Sequence, residues 1–249
     1  MLLSRIARFC FMIKFDIITI FPKIFDSYLK ESFIKKAQEK GLLKINIHNL
    51  RDWTEDRHKT VDDRPFGGGL GMVLKIEPIY KAIKTLQKSK RSPRGRRGGG
   101  RVGVQNPKSK IVLFTPRGKK FNQKLAYQFS KLNQIIMICG RYEGVDERVA
   151  RHIADVELSI GDYDLMGGEL PAMAVMETTA RLIPGVLGKP QLLKERISKE
   201  KGFIEYPQYT RPETFSPKKG IKWRVPKVLL SGNHAKISDW RKKYGKAIE

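Results

Sequence analysis

Cysteine is nearly absent from this chain: only Cys10 and Cys139 occur in 249 residues. Two such residues make no CxxC pair and no disulfide framework, which fits a reducing cytoplasm. Histidine is almost as scarce. His48, His58, His152 and His234 show no metal-ligand spacing, so the motifs predict no protein-bound metal. No apolar run reaches the ~18 residues of a membrane span. The opening MLLSRIARFCFMI resembles a signal peptide, but Arg5 and Arg8 break its apolar core and no small-residue cleavage site follows. Residues 1–11 are therefore read as an extension before the first strand, with Met12 a second candidate start. The phosphate loop GxxxxGK[ST] is missing. GGGLGM (67–72) does not stand at a strand-to-helix turn, which argues against a Rossmann dinucleotide site, and there is no nucleophile elbow.

Acid is also in short supply. Asp and Glu number 25 against 50 Lys and Arg, giving a formal net charge of +25 and a pI near 10.1. Such a charge points to a polyanion, most simply nucleic acid, because each neutralised phosphate releases counterions. The acids that do occur are concentrated. Residues 139–177 hold nine acids and three arginines, a net of −6, so the remainder carries 25 + 6 = +31. A polyanion would avoid that segment. A small cation, or a neutral ligand with a cationic centre, would not.

What is present reads as alternating strands and helices. KFDIITI (14–20) is a β-branched run and a buried strand; the residues from Phe21 to Gly41 keep helical spacing; LKINIHNL (43–50) alternates as a strand. Residues 51–76 are loop-like. A helix is predicted from Pro78, strands at 110–116, 134–140 and 154–161, and helices at 122–132, 146–153 and 170–183. This order predicts an α/β fold with a parallel sheet. Residues 184–222 then become rich in Pro, Lys and Gly, and a basic segment with a helix from Asn233 follows. Residues 88–110 carry nine basic residues and no acid. They are predicted to be disordered in isolation, and are either an RNA-grasping loop or a tolerated surface insertion.

Three glycine-bearing loops fall at the carboxyl ends of predicted strands: TPRG (115–118), CGRYEGVDER (139–148) and SIGDYDLMGGELPA (159–172). Ligands of open α/β sheets sit outside those ends. Glycine lets backbone N–H and C=O groups approach a flat ligand closely.

FPKIF, DDRPFGGGLGM, CGRYEGVDERV, SIGDYDLMGGELPA, RLIPGVLG, YPQYTRPE and LLSGNHAKI occur in this order across residues 21–237. Together they resemble the bacterial tRNA (guanine-N(1))-methyltransferases, knotted SPOUT-type enzymes that methylate guanine 37, just 3′ of the anticodon. The resemblance implies a SPOUT-type parallel sheet with a deep trefoil knot over residues 12–184, carrying the 88–110 insertion. It also implies a linker at 185–202 and a small, mainly helical tRNA-binding domain at 203–249. It implies S-adenosylmethionine as cofactor, magnesium as an ion the family uses, the tRNA anticodon stem-loop as partner, and a homodimer whose active sites draw on both subunits. The family's cofactor site corresponds here to Leu113, Thr115, Pro116, Gly140, Tyr142, Glu143, Gly144, Ser159, Ile160, Gly161, Tyr163, Leu165, Gly167, Gly168 and Pro171.

Glu143 is the resemblance's candidate for the methionine amino group or magnesium; otherwise it is a helix-start carboxylate. Arg141 and Arg148 either contact RNA or pair with Asp146 and Glu147, and the pairing is the expectation. Asp62, Asp63 and Arg64 belong either to a loop that would close over guanine, as the resemblance implies, or to a plain turn rich in Asp and Gly. Tyr209, Arg211, Asn233 and His234 would face tRNA, with Trp223, Lys227 and Arg241 beside them. Asp164 stands where the family has an apolar residue and is expected to point outward.

Guanine N(1) carries a proton at neutral pH, so methylation there needs a base. In the family the base is an aspartate five residues before the glycine that is here Gly202, partnered by the arginine that is here Arg181. At that place this chain has Ile197, which takes no proton. Glu195 and Glu200 are the nearest acids, and Glu195 is favoured because linker length tolerates change; the alternative is that both are solvated linker charges and the base is lost or supplied elsewhere.

Overall fold

The structure is a computed structural model, and it describes residues 12–88, 108–188 and 202–248. The 1–11 extension, most of the basic insertion, and Glu195, Ile197 and Glu200 lie outside the described residues. The chain divides into two compact units, residues 1–190 and 191–249.

The first unit is built on one five-stranded sheet. Its strands are β1 (Ile13–Thr19), β2 (Leu43–Asn49), β3 (Ser109–Lys120), β4 (Gln134–Ile138) and β5 (Val156–Ser159), in the order β2-β1-β4-β3-β5. Every pairing is parallel. The β-branched runs fit a sheet covered on both faces, and β4 is buried throughout. Helices α1 (Ser32–Glu39), α3 (Gln123–Phe129) and α5 (Glu169–Ala180) cover one face, packing Ile34, Leu125, Phe129, Val175 and Met176 against Phe15 and Met137. Helices α2 (Ile76–Lys88) and α4 (Glu147–His152) cover the other. There Ile79, Ala82, Ile83 and Leu86 recur at helical spacing against Ile18, Ile136 and Ile138.

The stretch from Phe21 to Gly41 is not one helix. A 3-10 turn (Pro22–Phe25) and a short turn of helix (Asp26–Leu29) precede α1, and Ser32 has φ of 52°. A left-handed residue ends the helical hydrogen-bond ladder, so the chain restarts there. β3 also runs past its predicted end at Pro116. It bulges between Phe114 and Lys119 and pairs again with β5, because Gly118 presses on the β5 backbone, where a Cβ would lie 2.6 Å from the Leu158 nitrogen. Within 51–76, read as loop, Asp62–Asp63 pairs antiparallel with Val73–Leu74.

One polar cluster lies inside the sheet. Asp16 on β1 is fully buried. It accepts hydrogen bonds from Asn46 Nδ2 (2.8 Å) and Gln134 Nε2 (2.7 Å), and pairs with Lys14 Nζ (2.8 Å) and His48 Nε2 (2.9 Å). Burial alone would raise its pKa, but the His48, Lys14, Asn46 and Gln134 contacts outweigh it and hold the carboxyl at about 2. A folded-state pKa below the unfolded value of 3.8 gives stability that is present above pH 4 and lost as pH falls towards 2. The difference corresponds to about 2 kcal/mol. Asp16→Asn is therefore expected to lower unfolding free energy at pH 7 by about 2 kcal/mol and to flatten the loss between pH 4 and 2. Urea titrations at pH 7 and pH 3 check both.

The second unit, over its described residues, holds two short antiparallel ribbons, Phe203–Glu205 with Lys246–Ile248 and Thr214–Phe215 with Trp223–Arg224. A turn of helix (Lys227–Leu230) and the helix His234–Tyr244 complete it.

Candidate active site

The chain's connections diverge at one edge of the sheet. β3 and β5 lead to helices on one face, whereas β4, beside β3, leads to α4 on the other. Such a switch opens a crevice at the strands' carboxyl ends. A cavity of about 470 Å³ lies there, walled by the three glycine-bearing loops. Leu113, Thr115, Pro116, Gly140, Tyr142, Glu143, Gly144, Ser159, Ile160, Tyr163, Leu165, Gly167, Gly168 and Pro171 all line it. Gly161 is not on the wall but lies beneath the ring of Tyr163.

Backbone contacts clasp the second and third loops together. Gly168 N–H donates to Gly140 C=O at 3.0 Å, and Arg141 and Gly167 form an isolated antiparallel bridge. A Cβ on Gly168 would stand 2.7 Å from Cys139 Cα, a backbone atom that cannot yield, so only glycine permits this approach. Tyr142, a non-glycine residue at φ 61°, is a strained point on the cavity wall.

The clasp is fastened by a residue that the sequence reading did not single out. Glu169 is buried in the first turn of α5, where the helix dipole favours a carboxylate. It accepts from Thr19 Oγ1 (2.6 Å) at the end of β1 and from Arg141 Nε (2.9 Å). Arg141 thus pairs with Glu169, correcting the expected partners Asp146 and Glu147, and its guanidinium lies 4.8 Å over the Phe21 ring. Arg148 does bond Asp146, at 2.6 and 2.9 Å. The only signal for Glu169 was an acid placed just before an apolar run in the first turns of the helix. Burial raises the Cys139 thiol well above its ordinary range, with Glu169 adding to the effect, so this neighbour is not a nucleophile.

The rim is charged. Arg117, also unpredicted, bonds Glu147 and Glu157, and Arg151 bonds Glu147 at 3.2 Å. The side-chain bonds from Arg117 and Arg151 hold the Glu147 carboxyl below its usual range. Lys120 pairs with Asp162. Asp164 is exposed, as expected, yet it stands at the cavity mouth, and its Oδ1 accepts from Leu165 N–H at 2.9 Å.

The loop of Asp62, Asp63 and Arg64 reaches this rim. Leu74 N–H donates to Gly144 C=O, Asp146 N–H to Leu74 C=O, and Glu143 N–H to Met72 C=O, each at 3.0 Å. Gly71 has φ of 91°, and the Glu143 side chain fills the place a Cβ would take. Phe66 and Leu70, farther out on the loop, are fully exposed. Glu143 precedes rather than opens α4, whose N-cap is Asp146. Among the described residues no three His, Cys, Asp or Glu side chains gather as a metal site.

Arg181 is not at this cavity. It caps the far end of α5, about 15 Å along the axis from Pro171. Tyr209, Arg211, Asn233 and His234 belong to the second unit. Asn233 spends its side-chain oxygen on Lys236 N–H, as the N-cap of its helix. Tyr209 packs edge-on to Trp240.

These features define an α/β protein of the open parallel-sheet class, with a small-molecule cavity at the sheet's carboxyl edge whose loops bind each other. Residues 13–247 match the family described as tRNA (Guanine-1)-methyltransferase TrmD. A tRNA (guanine-N(1)-)-methyltransferase of Dictyoglomus turgidum is 50% identical over 232 residues, 93% of this chain and 84% of that one. One from Clostridioides difficile is 45% identical over 229 residues, covering 92% and 90%. The crystal structure of the tRNA (m1G37) methyltransferase from Aquifex aeolicus superposes with a TM-score of 0.70 at 38% identity, covering 92% of this chain and 88% of that one. The chain belongs to the tRNA (guanine-1)-methyltransferase family.

Proposed function

We propose that this protein transfers a methyl group from S-adenosylmethionine to N(1) of guanine 37 in tRNA. The observation that carries this reading is the clasped cavity. Its size suits a nucleoside-sized ligand, its glycines expose backbone donors and acceptors, and its segment carries a net of −6 that tolerates a sulfonium and repels phosphate. The fourteen wall residues named above and Gly161 would hold the cofactor, which supplies an electrophilic methyl group. Glu143 offers one carboxylate to the cofactor's amino group. A single carboxylate is not a magnesium ligand set, and no step is routed through the ion.

In-line methyl transfer needs alignment more than a nucleophilic side chain, because guanine N(1) is itself the nucleophile. Its proton must leave as the N–C bond forms. Glu195 is assigned as acceptor, and Arg181 as the cation that offsets charge developing on O6. The loop of Asp62, Asp63 and Arg64 would close over the base.

Arg181 lies most of a helix away from the cavity of its own chain, so a second copy is the natural source of base and arginine. An exposed apolar face supports a homodimer with composite sites. Met166 and Leu170 are 86% and 57% exposed, and Phe21 and Ile24 are more than a third exposed nearby. The trefoil-knot reading draws on the same contacts: the chain leaving β5 returns against residues 139–141 while β4 sits between β1 and β3. The second unit, whose described residues form two short ribbons and two helical segments rather than a mainly helical body, is read as the small tRNA-binding domain. No helix among the described residues is long and apolar enough to cross a membrane, and a tRNA substrate places the activity in the cytoplasm.

Digestion of tRNA labelled from methyl-tritiated S-adenosylmethionine tests the reaction. Label is expected in 1-methylguanosine; label in a ribose-methylated nucleoside or in another base refutes it.

A further inference from the structure

The ribbon of the second unit carries two aromatic rings where a soluble protein has no internal use for them. Phe215 and Trp223 are register partners across the two strands, with ring centroids 5.8 Å apart and planes at 43°. They are 51% and 63% exposed, and every residue from Pro207 to Arg224 is exposed. The ribbon is nonetheless built. Val225 N–H donates to Glu213 C=O at 2.9 Å, and Ile221 N–H to Lys218 C=O at 3.1 Å, which turns the tip through Gly220 at φ 88°. Lys218, Lys219, Lys222 and Arg224 lie on the same short segment as the rings, against one acid, Glu213.

We infer that the Phe215–Trp223 ribbon is a stacking platform for an unpaired nucleobase of the bound RNA, separate from the methyl-transfer cavity. Exposed rings lose little entropy when a base lies on them, and every base has a π-face to offer. The four cations would hold the phosphates on either side of that base. A protein partner fits less well, since interface aromatics are set among depleted rather than clustered lysines. The inference rests on the reading of the chain as an RNA-binding methyltransferase, but it concerns binding and not chemistry.

Full-length protein and an intact tRNA transcript test it, with Kd measured by filter binding across a salt series and kcat at saturating tRNA. Trp223→Leu is expected to raise Kd about 10-fold to 100-fold. The salt slope should stay unchanged, and Trp223→Phe should restore most of the affinity. Lys222→Ala is expected to weaken binding and lower the salt slope by about 1. Trp223→Leu binding tRNA within twofold of the parent overturns the platform, as does equal loss in the Leu and Phe variants. If the parent binds RNA yet forms no 1-methylguanosine, the proposed reaction fails while the platform stands or falls on its own Kd values.

Discussion

Glu195→Ala is expected to lower kcat by a factor of about 10² to 10⁴, with the affinity for S-adenosylmethionine unchanged. Guanine N(1) reaches the methyl group with its proton attached, and once the N–C bond forms that proton must go to a base. The acids around the cavity have other partners, and Glu143 is assigned to the amino group of the cofactor. Glu147 is paired with Arg117 and Arg151, which lowers its basicity, Glu169 is committed to Thr19 and Arg141, and Asp164 accepts from its own loop. Under the proposed function the base is placed in the linker, where Glu195 lies two residues before Ile197. Glu200→Ala is expected to change kcat less than threefold, because the base acts from one position. Single-turnover rates at saturating tRNA and cofactor measure both variants. A large loss in Glu200→Ala alone would move the base to that residue, and unchanged rates in both would remove the linker from the chemistry.

The second large effect is expected at Gly168. A methyl group there meets Cys139 Cα at 2.7 Å, and neither backbone can retreat without breaking the Gly168–Gly140 hydrogen bond and the bridge between Arg141 and Gly167. Overpacking of this kind costs about 1–3 kcal/mol of stability. The larger consequence is for binding, since the two loops that wall the cavity are held together at this point. Gly168→Ala is expected to weaken S-adenosylmethionine binding at least 100-fold, measured by calorimetric titration. Melting curves run alongside should show that the protein still folds. The same variant examines the proposed dimer. Co-expressed with Glu195→Ala, it should yield mixed dimers with one intact cavity facing one intact base, and activity above that of either variant alone. Failure of mixed dimers to recover activity would place cavity and base in one chain.

Much of this architecture was legible because burial leaves a local record. The β-branched runs at Ile13, Ile111 and Ile135 mark strands covered on both faces, and the helical rhythm of Ile79, Ala82, Ile83 and Leu86 marks a helix lying on them. The glycine-bearing loops could be placed at strand ends by counting elements. What local pattern could not supply was contact at long range. Arg141 was assigned to the acids five and six residues away, whereas its partner is Glu169, 28 residues on, brought near by the fold. Helical spacing from Phe21 to Gly41 concealed the left-handed Ser32, since periodicity is blind to a single φ. The bulge at Gly118 likewise depends on β5, which is distant in sequence. The candidate cofactor residues, by contrast, came from the family resemblance and not from composition. The structure gathers fourteen of those fifteen residues around one cavity.

The central claim is that the cavity and linker act on one guanine. Its most direct measurement compares methyl transfer from labelled S-adenosylmethionine to two tRNA transcripts that differ only in carrying guanine or adenine 3′ of the anticodon. The account predicts close to one methyl group per guanine transcript and background label on the adenine transcript. Equal labelling of the two would contradict it.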